Sequence, residues 1–122
     1  MKVKLKLSRG YYKGVATICQ NCCNALAGVT LREVQYRDAL YGLVMKMAAK
    51  VPTLKAKGNS LTLGETECLA LWETVNDLVY KFGPYEMSVG LWLIGEIDQQ
   101  RGQYVALMKA NLTEQQNYYL EK

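Results

Sequence analysis

The stretch KVKLKLSRGYYKGVATICQNCCNAL (residues 2–26) changes its hydrophobic period at Ser8. Before this serine, three lysines alternate with apolar residues, and a period of two is typical of a half-buried strand. After it, apolar side chains recur every three or four residues, as along one face of a helix. Serine is also a favoured N-cap residue. The stretch therefore predicts a strand with an outward lysine face, followed by a helix that ends near Gly28.

Three of the four cysteines lie in this helix, and the fourth is Cys68. A helix sets the Cβ atoms of Cys19 and Cys22 roughly 5–6 Å apart, whereas a disulfide needs about 3.5–4.5 Å. Cys22 and Cys23 point about 100° apart, so they cannot both face one metal together with Cys19. Redox pairs favour a helix N-terminus, and these cysteines lie mid-helix. We therefore predict that the cysteines pack in the core and hold no metal or cofactor. Thiolate metal binding and redox chemistry are the alternatives.

A second helix is predicted to start at Thr30, because Glu33 three residues later completes a capping box. Pro52 stops this helix soon after Lys50, since proline cannot continue a helix. The residues expected on its inner face are Tyr36, Leu40, Leu43, Val44 and Met47.

Two more helices follow a turn at Gly58 and a short strand at 61–63. Thr62 and Glu65 suggest a capping box for the third helix, which is expected to close at Gly83. The next residue is a proline, which suits the first turn of a fourth helix running toward residue 110. Residues 113–122 are expected to form a C-terminal tail.

The length of 122 residues suits one domain, and half of the residues are hydrophobic, enough for a core. The expected fold class is mainly α: a four-helix bundle-like domain over 1–112, packed as two helical hairpins with a short two-stranded β-ribbon.

An internal strand–helix–helix duplication is also predicted, with halves 1–52 and 53–110. Residues 5–7 match residues 61–63, and with a shorter turn in the second half Gly42 matches Gly95. The same alignment sets each cysteine of the first helix opposite an aliphatic residue, as in the pairs Cys19/Val75, Cys22/Leu78 and Cys23/Val79. These matches favour a packing role for the cysteines.

Charge is unevenly distributed along the chain. Residues 1–60 contain eleven basic and two acidic side chains, a net charge of +9, whereas residues 61–122 contain four basic and nine acidic side chains, a net charge of −5. If the two strands pair, the basic residues crowd one exposed ribbon. The candidate contact residues are Lys2, Lys4, Lys6, Arg9, Lys55 and Lys57.

Three hypotheses fit this basic ribbon. It is a solvated strand edge on which lysine deters aggregation, which we favour, or it is a contact surface for a nucleic-acid phosphate backbone. In the third, the basic end of one copy meets the acidic end of another copy. No helix-turn-helix, RNA-recognition or zinc-finger pattern accompanies the charge.

The usual catalytic patterns are absent from the sequence. There is no histidine, which removes the Ser-His-Asp and Cys-His nucleophile arrangements. There is no glycine-rich phosphate loop, and Glu96 and Asp98 would lie about 200° apart on a helix, so they cannot act as a pair. We therefore expect that the chain is not an enzyme.

The N-terminus has no apolar region of a signal peptide, and the most apolar stretch (89–95) is far shorter than the ~20 residues of a membrane helix. A soluble, cytoplasmic protein without membrane contact is expected. The expected function is a non-catalytic protein–protein interaction or assembly module, either self-associating or a small subunit of a larger particle, such as those of phages and mobile elements. The alternative is a nucleic-acid-binding accessory protein.

Overall fold

The computed structural model describes residues 2–78 and 81–120, and it describes side chains for residues 2–78 and 81–102. Within these residues the chain is mainly helical, with four helices and one two-stranded antiparallel sheet, so the coarse fold class is confirmed. The elements are β1 (Val3–Leu7), α1 (Arg9–Ala25), α2 (Leu31–Lys50), a 3₁₀ turn (Val51–Thr53), β2 (Asn59–Leu63), α3 (Glu65–Leu78) and α4 (Pro84–Leu120).

The two strands pair in antiparallel fashion, with Leu5 opposite Leu61 and Val3 opposite Leu63. The apolar residues of β1 are buried and its lysines are exposed, as the alternation predicts. Burying one face of the ribbon against the helices fixes its register, because a slip by one residue would expose every leucine.

The first two helices begin where the sequence predicts. The Ser8 side chain accepts a hydrogen bond from the Tyr11 backbone N–H at 3.2 Å. Thr30 Oγ1 accepts from the Glu33 backbone N–H at 3.1 Å, and the Glu33 carboxylate accepts from the Val29 N–H at 2.9 Å. The Glu33 carboxylate thus reaches one residue beyond the usual capping-box partner.

Two helix ends differ from the prediction. α1 ends at Ala25, because Leu26 already has extended backbone angles, and Gly28 with its φ of +74° lies in the connection to α2. α3 begins after Gly64, whose N–H donates to Glu67 Oε1 at 2.7 Å. The predicted cap at Thr62 is therefore wrong by two residues, because Thr62 belongs to β2.

β2 and α4 are both longer than predicted. β2 begins at Asn59, directly after Gly58, whose φ of +78° makes the turn. α4 begins at Pro84 as expected but continues to Leu120, into the stretch 113–122 predicted as a tail. Val79, which the duplication sets opposite Cys23, and residues 121–122 lie outside the described residues.

The core lies between the ribbon and the helices. α1 contacts α2, α3 and α4, and α3 contacts α2 and α4. Fully buried side chains come from every helix and from both strands; the largest include Tyr12, Ile18, Leu40, Leu43, Met47, Leu63, Leu71, Leu93 and Ile97. Every helix therefore contributes to one continuous core.

The outer edge of β1 is covered by a side chain. The Gln100 amide of α4 accepts from the Lys4 backbone N–H at 2.9 Å and donates to the Lys4 backbone C=O at 2.9 Å. These two bonds reproduce what a neighbouring strand would offer, so Gln100 closes this sheet edge and anchors α4 to β1.

We expect Gln100→Ala to lower the free energy of unfolding by about 1–2 kcal/mol, because it removes both bonds to Lys4. Urea unfolding measures the change, and hydrogen exchange at the Lys4 amide should become faster. The control is Gln99→Ala, an exposed neighbour. Unchanged exchange at Lys4 in the Gln100 variant would contradict this role.

The Tyr12 hydroxyl is buried without a hydrogen-bond partner among the described residues. Removing an unsatisfied polar group from a core avoids its desolvation cost. We expect Tyr12→Phe to raise the free energy of unfolding by about 1 kcal/mol. Thermal and urea unfolding check this, and a loss of stability would reveal a partner for the hydroxyl.

Candidate functional site

All six candidate basic residues are exposed. Lys4 and Lys6 lie on the outer face of β1, opposite Thr62 and Ser60 of β2. The alternation of β1 with the core accounts for this position, because each buried leucine forces its neighbouring lysine outward.

The loop before β2 is held against the end of β1. The Asn59 side-chain amide donates to the backbone C=O groups of Leu7 and Lys55, at 3.0 and 2.8 Å, and its oxygen accepts from the Lys55 N–H at 2.9 Å. Arg9 bonds the same loop, donating from Nη2 to the Leu54 C=O at 2.9 Å and from its backbone N–H to the Ala56 C=O at 3.1 Å. These bonds bring Arg9 and Lys55 to the same end of the ribbon.

The other end of the ribbon is less basic. β2 passes through Gly64 directly into the first turn of α3, which contains Glu65 and Glu67. Because Val3 pairs with Leu63, these carboxylates follow the strand end that lies beside Lys2. Lys6, Arg9, Lys55 and Lys57 lie at one end of the ribbon, and we call them the basic patch. The other end of the ribbon has acidic neighbours.

A cleft of about 240 Å³ lies beside the basic patch, between the end of α2 and the start of β2. It is lined by Lys50, Thr53, Leu54, Lys55, Gly58, Asn59 and Ser60. Lys50 was not among the candidate contact residues. Its position at the end of a helix does not indicate in the sequence that it lies near β2.

The four cysteines pack in the core, as predicted. Burial, with a smaller contribution from Cys23, raises the pKa of the Cys22 thiol to about 12. Burial, and to a smaller extent the negative charge of nearby Glu67, raises the pKa of the Cys68 thiol to about 11. Burial also raises the pKa of the Cys19 thiol far above its ordinary value. A reactive cysteine needs a lowered pKa, so these thiols have the opposite property.

Two of the thiols lie close to backbone carbonyls. Cys23 Sγ is 3.6 Å from the Arg37 carbonyl oxygen, and Cys68 Sγ is 3.8 Å from that of Leu63. Among the described residues, no group of three or more Cys, His, Asp or Glu side chains is arranged to hold a metal ion.

Two carboxylates, Glu73 of α3 and Asp98 of α4, make contacts within the fold. Asp98 accepts a hydrogen bond from the Trp72 indole N–H at 2.8 Å, which ties α3 to α4. Glu73 lies 3.6 Å from the Arg32 guanidinium, and the guanidinium also lies over the Tyr36 ring. The Asp98 and Glu73 carboxylates thus face partners within the fold.

Large apolar side chains are exposed at the α1–α2 connection and on the outer side of α2. Val29 and Leu31 are 83% and 75% exposed, and Tyr41 and Met45 are 60% and 55% exposed. The apolar spacing predicts the inner face of α2, and Tyr36, Leu40, Leu43 and Met47 of that face are buried. Apolar residues of α2 outside this stripe, such as Tyr41 and Met45, are the sequence signal for the exposed set.

Comparison with protein-family models, curated proteins and solved structures gives no match for this chain. No helix among the described residues combines the length and the apolar character needed to cross a membrane.

We expect Cys22→Val to fold normally at neutral pH, with a cost under about 1.5 kcal/mol, because it is a small apolar replacement in the core. The difference in free energy of unfolding between this variant and the unmodified protein should change with pH. The thiol ionises near its ordinary pKa of 9.0 in the unfolded chain but only near 12 in the native protein. The stability that the thiol contributes is therefore complete below pH 9 and is lost as the pH rises toward 12.

Between pH 8 and 10 the valine variant should gain about 1.4 kcal/mol relative to the unmodified protein. Urea unfolding at each pH measures this difference, and Thr17→Val, at an exposed position of the same helix, is the control. One equivalent of zinc, lost together with the fold on chelation, would refute the packing role.

Proposed function

We propose that this chain is a non-catalytic interaction or assembly module that self-associates or forms a small subunit of a larger assembly. The observation that carries this proposal is the exposed apolar surface of Val29, Leu31, Tyr41 and Met45. These side chains lie just before, at the start of and in the middle of one helix, and exposed apolar patches mark contact sites.

The state of the chemically active groups supports a non-catalytic role. The thiols lie in the core with raised pKa values, Asp98 bonds Trp72, and Glu73 pairs with Arg32. An active site would instead need such groups free to reach a substrate in a cleft.

We also propose the finer architecture: a bundle of two helical hairpins that arose by duplication. Leu5 pairs with Leu61, its own equivalent, as a two-fold axis through the ribbon requires. The buried positions also repeat: Tyr12, Gly14, Val15, Ile18 and Cys19 of α1 correspond to Cys68, Ala70, Leu71, Thr74 and Val75 of α3, and all ten are buried. This repetition supports an origin of the two halves by duplication.

The second candidate is a nucleic-acid-binding accessory protein. It is favoured by the exposed Lys6, Arg9, Lys55 and Lys57 at one end of the ribbon and by the adjacent cleft with Lys50. The acidic first turn of α3 disfavours a continuous phosphate track along the whole ribbon.

A salt titration separates the two candidates. If all six basic residues neutralised phosphates, the logarithm of affinity for DNA or RNA would fall with log salt at a slope of about −5. We expect no such dependence, and we expect the triple variant Lys2→Glu, Lys4→Glu, Lys6→Glu to behave like the unmodified protein. A steep slope that the triple variant flattens would favour the nucleic-acid function.

The assembly function has its own test. Sedimentation of protein purified from its native host should show a mass above the 13.8 kDa of one chain. A 13.8 kDa species at every concentration, together with no protein co-purifying from native extracts, would rule out the assembly function.

A further inference from the structure

The outer side of α2 contains a glycine that the fold of one chain does not explain. Gly42 lies in the middle of α2, and a Cβ added there would meet nothing within 4 Å. Glycine is the least favourable residue in a helix interior after proline. Within a single copy of the chain, alanine or a larger side chain would fit and would stabilise the helix. A close approach by another molecule gives the glycine a function.

The residues around Gly42 form one exposed stripe. Their spacings of four, three, four, three and four residues place them on the same side of the helix. We call this stripe the outer face of α2; it consists of Leu31, Gln35, Asp38, Gly42, Met45 and Ala49, all exposed, with Tyr41 and Lys46 beside it. The face thus combines apolar and small residues with one amide, and it has one charge of each sign on either side of Gly42.

We propose that two copies of this chain dock through the outer face of α2 as an antiparallel, two-fold pair that crosses at Gly42. This inference rests on the proposed self-association and names the surface that carries it. A two-fold contact is self-complementary and closes after two copies, as most homo-oligomer contacts do.

Charge fixes the direction of the pair. Asp38 lies four residues before Gly42 and Lys46 lies four residues after it, each about 6 Å along the helix axis. Antiparallel crossing at Gly42 therefore brings Asp38 of one copy level with Lys46 of the second copy, and the symmetry repeats this pair. A parallel arrangement would place like charges at the same level, which is unfavourable.

The same symmetry accounts for the exposed apolar residues at the start of α2. Residues eleven before Gly42 lie level with residues eleven after it, so Leu31 of one copy meets the exposed Pro52 and Thr53 region of the second copy. Val29, the most exposed large apolar residue described, lies beside this contact. The docking thus covers side chains from both ends of α2.

The equivalent face of α4 lacks this complementarity. Gly95 is exposed and also has nothing within 4 Å of an added Cβ. In an antiparallel pair crossing there, Asp98 would come level with Trp92, which has no charge. Gly95 is therefore a matched control for Gly42.

The contact is expected to be weak. A helix of 20 residues is about 30 Å long, and one face of it covers less than the roughly 800 Å² per partner of a standard interface. The dimer should therefore have a micromolar dissociation constant, and it should be visible in sedimentation over a concentration series.

The first test replaces Gly42 by Gln, a good helix former that is too large for a close crossing. We expect dimerisation to weaken by at least about tenfold. The thermal midpoint at low concentration should rise by a few degrees, because the helix gains propensity. Gly95→Gln should give the stability gain without affecting dimerisation. The triple glutamate variant of Lys2, Lys4 and Lys6 should also dimerise normally.

The second test exchanges the charges. Asp38→Lys alone and Lys46→Glu alone should each weaken the dimer about tenfold, because each places like charges at the same level. The double variant restores opposite charges and should return the dissociation constant to near that of the unmodified protein. Circular dichroism checks that all variants keep their helix content.

Three outcomes would overturn this inference. A double variant no tighter than the single variants would refute the antiparallel register. An oligomer that survives Gly42→Gln but is lost in the triple lysine variant would move self-association to the β1 ribbon and leave the assembly function standing. A monomer at all concentrations, with Gly42→Gln abolishing capture of a co-purifying protein, would assign the face to a foreign partner.

Discussion

The pairing of β1 with β2 is the constraint on which the other contacts depend. It joins Leu5 to Leu61, far apart in the chain, and buries the leucines of both strands over the helices. Each strand leads within one residue into a helix, through Ser8 into α1 and through Gly64 into α3. The ribbon therefore sets where both helices start, and it places α1 and α3 against the same core.

Local signals in the sequence were enough to predict most elements. The lysine alternation, the caps at Ser8 and Thr30 and the proline at the start of α4 act within one helical turn, and each is confirmed. The errors arose where contacts between residues far apart in the sequence determine the local structure. The start of α3 follows from the pairing of β2, which holds Thr62 in the strand, and nothing near Gln100 in the sequence indicates its bonds to Lys4.

The candidate surfaces were only partly predictable for the same reason. A lysine that alternates with buried leucines must be exposed, so the outward face of β1 followed from the sequence. The inner face of α2 also followed from its spacing, since Tyr36, Leu40, Leu43 and Met47 are buried. Which molecule contacts the apolar residues outside that stripe, such as Tyr41 and Met45, does not follow from spacing within one helix.

Some polar groups of the described fold have partners, whereas several large apolar side chains face water. Asp98 bonds Trp72, and the cysteine thiols are buried in the core. The exposed large apolar side chains lie on or just before α2, at Val29, Leu31, Tyr41 and Met45, and on α3 and α4, at Trp72, Tyr85 and Leu91. Polar surface in water costs nothing, whereas apolar surface in water is unfavourable and is relieved by contact. The docking that we propose at α2 would remove part of this apolar surface from water.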